Sequence, residues 1–319
     1  MMQKETSKSD ARMTALQRNI LCTLAYFDIF DHPLRVSEIY RFLPSNGVTE
    51  DDVQKACTME PLKSRICHVD DLFFLTSSSE QIVAERRTKE RRARRLWMAA
   101  ILMSHIIRRF PFVRGVFVSG ELSKGVASKK SDVDFFIVTA ENRVWICRTL
   151  FTLFKKLFLF NRKKFFCYNL ITSEHQLRIT ERNTYTAVEI ATVKPIFNEN
   201  LYRKFIQANS WTAEYLPNSQ KAHQRSDYAI PPIFSIEKML TVFLPPGKLD
   251  TLDRWLLEKW KTIWRRRYHQ LSPEELGNRF QCQRNLSTAY AGDFLPKIMG
   301  TYRHKLNGYG IVRADHSLN

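Results

Sequence analysis

The chain has 319 residues, 44% of them hydrophobic, with only 10 glycines and 12 prolines. That composition excludes a fibrous or disordered chain and supplies apolar side chains for one large core or two to three small ones. Fifty lysines and arginines against 32 acids leave a formal charge of +18, which favours anionic partners: nucleic acid, nucleotides or an acidic membrane surface.

Cys22, Cys57, Cys67, Cys147, Cys167 and Cys282 form no CxxC pair and sit mostly in apolar runs. Buried reduced thiols fit that pattern better than a disulfide frame or a zinc site. The N-terminal MMQKETSKSDARM lacks an apolar leader core, and the apolar stretch 149–160 is interrupted by Lys155 and Lys156. Neither a signal peptide nor a membrane span is expected, and the expected location is the cytoplasm.

The first dozen residues are polar and should fray. From Leu16 to Phe30, the residues Ile20, Leu21, Leu24 and Phe27 recur at helical spacing, and Asp31-His32-Pro33 ends that helix. Val36 to Leu43 reads as a second helix. Thr49, with Asp52 three residues on, reads as the cap of a third that reaches Met59. Two short apolar runs, Ile66 to Val69 and Leu72 to Leu75, flank Asp70-Asp71 and predict a hairpin. Three helices and a hairpin make the winged-helix order, so 14–78 reads as a winged-helix-like segment. Its third helix region carries Glu50, Asp51, Asp52 and Glu60 against Lys55, which suits a structural or protein-contact role better than DNA recognition.

Residues 79–112 read as a basic linking helix, from Ser79 to Arg109, stopped by Pro111. Its first half holds Arg86, Arg87, Lys89, Arg91, Arg92, Arg94 and Arg95. That run suits a nucleic-acid backbone or, equally, a solvated face paired with Glu85 and Glu90. An α/β pattern follows over 113–220. Strands are expected at 115–118, 133–138 and 165–171, and helices at 143–160 and 185–193, the last stopped by Pro195. The remainder, 221–319, reads as a helical C-terminal segment in which 249–264 shows a broad apolar face. No internal repeat is evident.

The chemistry lies between two of these strands. Val116-Phe117-Val118 leads into Ser119-Gly120, and Ser131-Asp132-Val133-Asp134 opens the next apolar run. Residues i and i+2 of a strand face the same way, so Asp132 and Asp134 present two carboxylates together. Such a pair repels itself unless a cation lies between, and hard oxygen donors suit Mg²⁺ or Mn²⁺ bridging the phosphates of a nucleoside triphosphate. The Ser119-Gly120 turn permits close backbone approach to those phosphates. Asp132 and Asp134 are therefore the expected catalytic and metal-holding residues, and Ser119, Gly120, Ser123 and Lys124 the expected nucleotide contacts. Lys129 and Lys130 read as solvated. Arg143 and Arg148, which straddle Trp145, suit substrate phosphates or a structural salt bridge.

At these residues the sequence resembles the DNA polymerase β-type nucleotidyltransferase superfamily, whose signature is a Gly-Ser or Gly-Gly turn followed by Asp-x-Asp on a strand. A fuller likeness is to bacterial nucleotidyltransferase-like proteins with an N-terminal winged-helix-like segment. It rests on Leu24 to Pro33, Ser119 to Val138, Arg143 to Arg148, Phe166 to Asn169 and Tyr185 to Glu189. The resemblance implies an α/β (α+β) fold with a small mixed sheet and flanking helices. It implies metal-dependent transfer of a nucleotidyl group from a nucleoside triphosphate to a hydroxyl of a small molecule, protein or RNA end. Two positions depart from it. Glu121 stands where Ser or Gly is usual, and Asn169 stands where many active members carry a third carboxylate, with Glu174 and Glu189 the acids nearest to substitute. Those departures make a catalytically inactive nucleotide-binding or regulatory protein the alternative. A DNA-binding regulator is a further one.

Overall fold

The computed structural model describes residues 13–160, 164–219, 237, 245–289 and 294–311. Two compact units emerge, one drawn from 1–87, 213–222 and 297–319 and the other from 88–212 and 223–296.

In the first unit, α1 (Ala15–Asp28) starts at Thr14, whose hydroxyl and Gln17 complete a reciprocal capping box. Helices α2 (Val36–Arg41) and α3 (Glu50–Cys57) follow; at α3 the carboxylate of Asp52 does the work usually given to Glu or Gln, accepting the Thr49 amide at 2.9 Å. Strands β1 (Ile66–Val69) and β2 (Leu72–Leu75) pair antiparallel, and Asp70 takes the positive φ that the two-residue turn needs. The long helix α4 (Gln81–Ile107) opens with Ile82 and Val83 packed on Leu72 and Phe74. Its basic run is partly internal. The buried Arg86 bonds His32 and, at 2.6 Å, Glu38, while Arg87 pairs with Asp71. Arg91, Arg94 and Arg95 are exposed. The helix Phe294–Gly308 adds Lys305, which pairs with the buried Asp28 at 2.5 Å.

The second unit is a mixed α+β assembly around one sheet. Its elements are β3 (Val113–Ser119), α5 (Gly120–Ser123), β4 (Asp134–Thr139), α6 (Val144–Phe158), β5 (Cys167–Ser173), α7 (Thr184–Thr192), β6 (Lys194–Phe197), α8 (Glu199–Ala208), α9 (Pro246–Arg267), α10 (Pro273–Arg279), β7 (Cys282–Gln283) and β8 (Leu286–Thr288). The strand order is β6-β3-β4-β5-β8-β7, with β4 and β5 parallel and every other pair antiparallel. Strand alternation sends Phe117 and Phe136 to one face, against Tyr202 and Phe205 of α8. It sends Phe135 to the other, against Phe166, which meets Phe151 of α6.

Two features differ from the sequence expectation. Pro195 does follow the end of α7, but it lies inside a strand: β6 is at the sheet edge, where a residue with no N–H is tolerated. The C-terminal region, read as helical, also contributes β7 and β8, and β8 covers β5 with Ala289 N–H donating to Asn169 O at 2.8 Å.

Helix α9 closes the α6 face. Asp253, fully buried, accepts the amides of Trp145 and Ile146 at 2.9 Å each and pairs with Arg284 at 3.0 Å. Arg143 pairs with Asp250 and lies over Phe112. Arg148 is buried against Tyr168, Trp260 and Trp264, 4.6 Å from the last ring, and burial lowers its pKa to about 10. Arg143 thus ties the start of α6 to α9, whereas Arg148 lies among rings with its Nε and Nη1 unbonded among the described residues. All six cysteines are free, with Cys22, Cys57 and Cys147 buried. Among the described residues, no helix is long and apolar enough to cross a membrane.

Candidate functional site

The expected residues come together where β3 ends and β4 begins. Ser119 is the register partner of Asp134, so the turn after β3 lies beside the first residue of β4. Gly120 has φ +68°, a conformation that side chains disfavour, and a Cβ there would lie 2.6 Å from Asp134 Oδ2. Glycine at this position is what lets backbone and carboxylate approach so closely. Val133, between the two aspartates, donates its N–H to Lys164 O at 2.9 Å and accepts from Cys167 N–H at 3.0 Å. Val133 is thus tied to the segment leading into β5, but β4 begins only at Asp134, so Asp132 lies in the loop before the strand rather than on it as expected.

Asp134 is half-buried, and its carboxyl is pushed up to about 6. Burial is the largest cause; the Cys167 thiol opposes it, and the charges of Asp132, Glu189 and Glu121 add to it. Asn169 donates its side-chain N–H to Asp134 Oδ1 at 3.0 Å and accepts the Cys167 thiol at 3.3 Å. The neutral residue in the third-acid position thus orients the carboxylate.

The two acids near the site part company. Glu189 on α7 pairs at 2.7 Å with Lys124, which also donates to Gly120 O at 3.3 Å. Glu174 follows the far end of β5, roughly 17 Å along the strands from Asp134. Its carboxylate lies 3.9 Å from Arg114, and its amide bonds Thr139 O. Sequence reasoning had no means to separate them, since only the crossing of α7 over the turn brings Glu189 in.

Glu121 does not face the turn with an idle charge. It accepts the Ser128 amide at 3.1 Å and the Ser131 hydroxyl, tying down the loop that precedes Asp132. Ser123 is buried, with its hydroxyl on Gly120 O at 2.8 Å, so it braces the turn from behind. Ser119 lies similarly, its hydroxyl 3.4 Å from Asp134 O. Lys129 and Lys130 are exposed.

Among the described residues, no set of three or more His, Cys, Asp or Glu side chains is placed to hold a metal ion alone. The donor set is two acids with a surplus of negative charge around a buried carboxyl. That fits a divalent ion that draws its other ligands from phosphate oxygens and water, as Mg²⁺ does. A cavity of about 320 Å³ elsewhere in this unit is lined by Trp264, Phe280, Cys282 and Gln283 and shares no residue with the site. Comparison with protein-family models, with curated proteins and with solved structures finds no match.

Proposed function

We propose that the chain transfers a nucleotidyl group from a nucleoside triphosphate to an acceptor hydroxyl. The observation that carries this reading is the approach of Gly120 to Asp134: a strand, a glycine turn and a second strand bring a bare backbone against a crowded carboxylate pair. A glycine turn held against acids that call for a cation is the constellation that phosphoryl chemistry uses. Asp132 and Asp134 would hold the Mg²⁺ or Mn²⁺, which when bound supplies neutralisation of phosphate charge.

In the transfer, the acceptor oxygen bonds to the α-phosphorus as the bond to the departing pyrophosphate breaks. The hydroxyl proton needs an acceptor. Asn169 has none to offer, so the role falls to Glu189, the carboxylate that Lys124 holds at the site. Lys124, freed or shared, supplies positive charge toward the phosphates. A second reading, nucleotide binding without transfer, is favoured by the Asn169–Asp134 bond, which puts an amide where an acid would activate the hydroxyl.

Label transfer separates the two. The purified protein is incubated with each α-labelled nucleoside triphosphate, Mg²⁺ or Mn²⁺ and a lysate of its own host, with Asp134→Asn as control. Label on a new species only with the unmodified protein supports the enzyme and reports whether the acceptor is a small molecule, a protein or an RNA. Binding without transfer supports the second reading. Neither binding nor transfer overturns both.

A further inference from the structure

Helix α6 ends in an apolar tip. Leu153, Leu157, Phe158 and Phe160 are 51, 60, 68 and 82% exposed, and Phe165, on the returning strand side, is 40% exposed. Burial of side chains of this size drives folding, so their clustering at one exposed end requires a reason. Phe154 meets Phe158 at 5.2 Å and Phe166 at 6.1 Å, which holds the helix end against the returning segment.

The stretch of chain that includes the tip carries charge of one sign. Between Glu141 and Glu174 the chain contains no acid, and it contains Arg143, Arg148, Lys155, Lys156, Arg162, Lys163 and Lys164. Arg143 and Arg148 serve the fold, and among the described residues Lys155, Lys156 and Lys164 are the cations at the tip. Lys156 and Lys164 are exposed beside the apolar residues.

We propose that this patch docks the protein on the surface of an anionic phospholipid bilayer. Phe158, Phe160, Leu153 and Leu157 enter the boundary between headgroups and acyl chains, while the lysines meet the lipid phosphates. Charge complementarity favours this occupant over a second copy of the chain, which would bring lysines against lysines with no acid in the stretch to pair them. The aliphatic members favour it over nucleic acid, because Leu153 and Leu157 have no ring on which a base can stack. No membrane-crossing helix is needed: the tip lies on the bilayer rather than through it. The segment that returns from the tip is tied to the candidate site, since Val133 bonds to both residues 164 and 167. The docking itself is independent of the nucleotidyl-transfer reading.

The test is sedimentation of the full chain with vesicles of phosphatidylcholine alone or mixed with phosphatidylglycerol. Two double variants accompany it, Leu157→Ser with Phe160→Ser and Lys156→Glu with Lys164→Glu. All four side chains are largely exposed, so thermal unfolding followed by circular dichroism should be unchanged. The expected result is binding to the mixed vesicles and not to phosphatidylcholine, weakened by about tenfold or more in each double variant. Failure of the unmodified chain to bind mixed vesicles overturns the proposal, as does equal binding by the variants. It is also overturned if the apolar variant loses instead a vesicle-free dimer in sedimentation velocity, or the retention of a single-stranded oligonucleotide.

Discussion

Two aspartates of the same unit, the half-buried Asp134 and the fully buried Asp253, have carboxyls pushed up to about 6 with burial as the largest cause, yet they are partnered in opposite ways. Asp253 takes two backbone amides at the start of α6 and a guanidinium, so each partner favours its charge. Asp134 takes one side-chain amide, and the charges of Asp132, Glu189 and Glu121 press against it. The first arrangement holds two elements together. The second stores unfavourable charge at a turn of bare backbone, which a structural role does not require and a cation-dependent site does.

The largest expected effect breaks the structural member of the pair. Asp253→Ala leaves two buried amides and Arg284 without their acceptor and should cost about 3 kcal/mol in urea unfolding, by the usual penalty for breaking a buried pair. A loss of a few tenths would place the hold on α6 elsewhere.

Gly120→Ala comes next. The left-handed backbone and a Cβ pointing 2.6 Å from Asp134 Oδ2 should together cost about 2 kcal/mol. Any nucleotide binding, followed by fluorescent analogue titration, should fall with it. A variant that keeps both stability and binding would remove the close approach from the argument.

The smallest effect has the opposite sign. Asp134→Asn removes a carboxylate that is costly when ionised, and at pH 7 it should raise stability by about 1 kcal/mol. The pH dependence follows from the direction of the shift. A carboxyl whose folded pKa is raised from 3.8 to about 6 binds more protons folded than unfolded within that window. Its contribution therefore falls as pH rises through the window and is fully lost above 6, solvent screening of the half-buried carboxylate holding the total to about 1 kcal/mol. The difference between unmodified protein and Asp134→Asn in unfolding scans from pH 4 to pH 8 should trace that curve. A flat difference would mean that Asp134 is not a frustrated acid.

Much of the local architecture was legible in the sequence. Ile20, Leu21, Leu24 and Phe27 announce the first helix by their spacing, Thr49 with Asp52 announces the third, and the runs on either side of Asp70-Asp71 announce the hairpin. The placing of Asp134 beside Ser119-Gly120 was legible from the two strands on either side of the turn, whereas Asp132, expected on the strand, lies just before β4 begins. What was hidden depends on contacts between distant segments. Strands β7 and β8 are too short to show a period. Pro195 signals a stop whether or not an edge strand follows. Asp253 is 108 residues from the amide of Trp145 that it accepts, so nothing near either one marks the bond. Glu121 looks misplaced by type until the Ser128 and Ser131 partners are seen.

The position of β8 also bears on the order of assembly during synthesis. Strand β5, which carries Asn169, is interior only because residues 286–288 bond its outer side. Until that late hairpin leaves the ribosome, β5 is an edge strand with open amides and carbonyls, able to pair with another chain. The unit therefore has high contact order at its most sensitive strand, and its last strands act as the closing member that converts a sticky nascent sheet into a protected one.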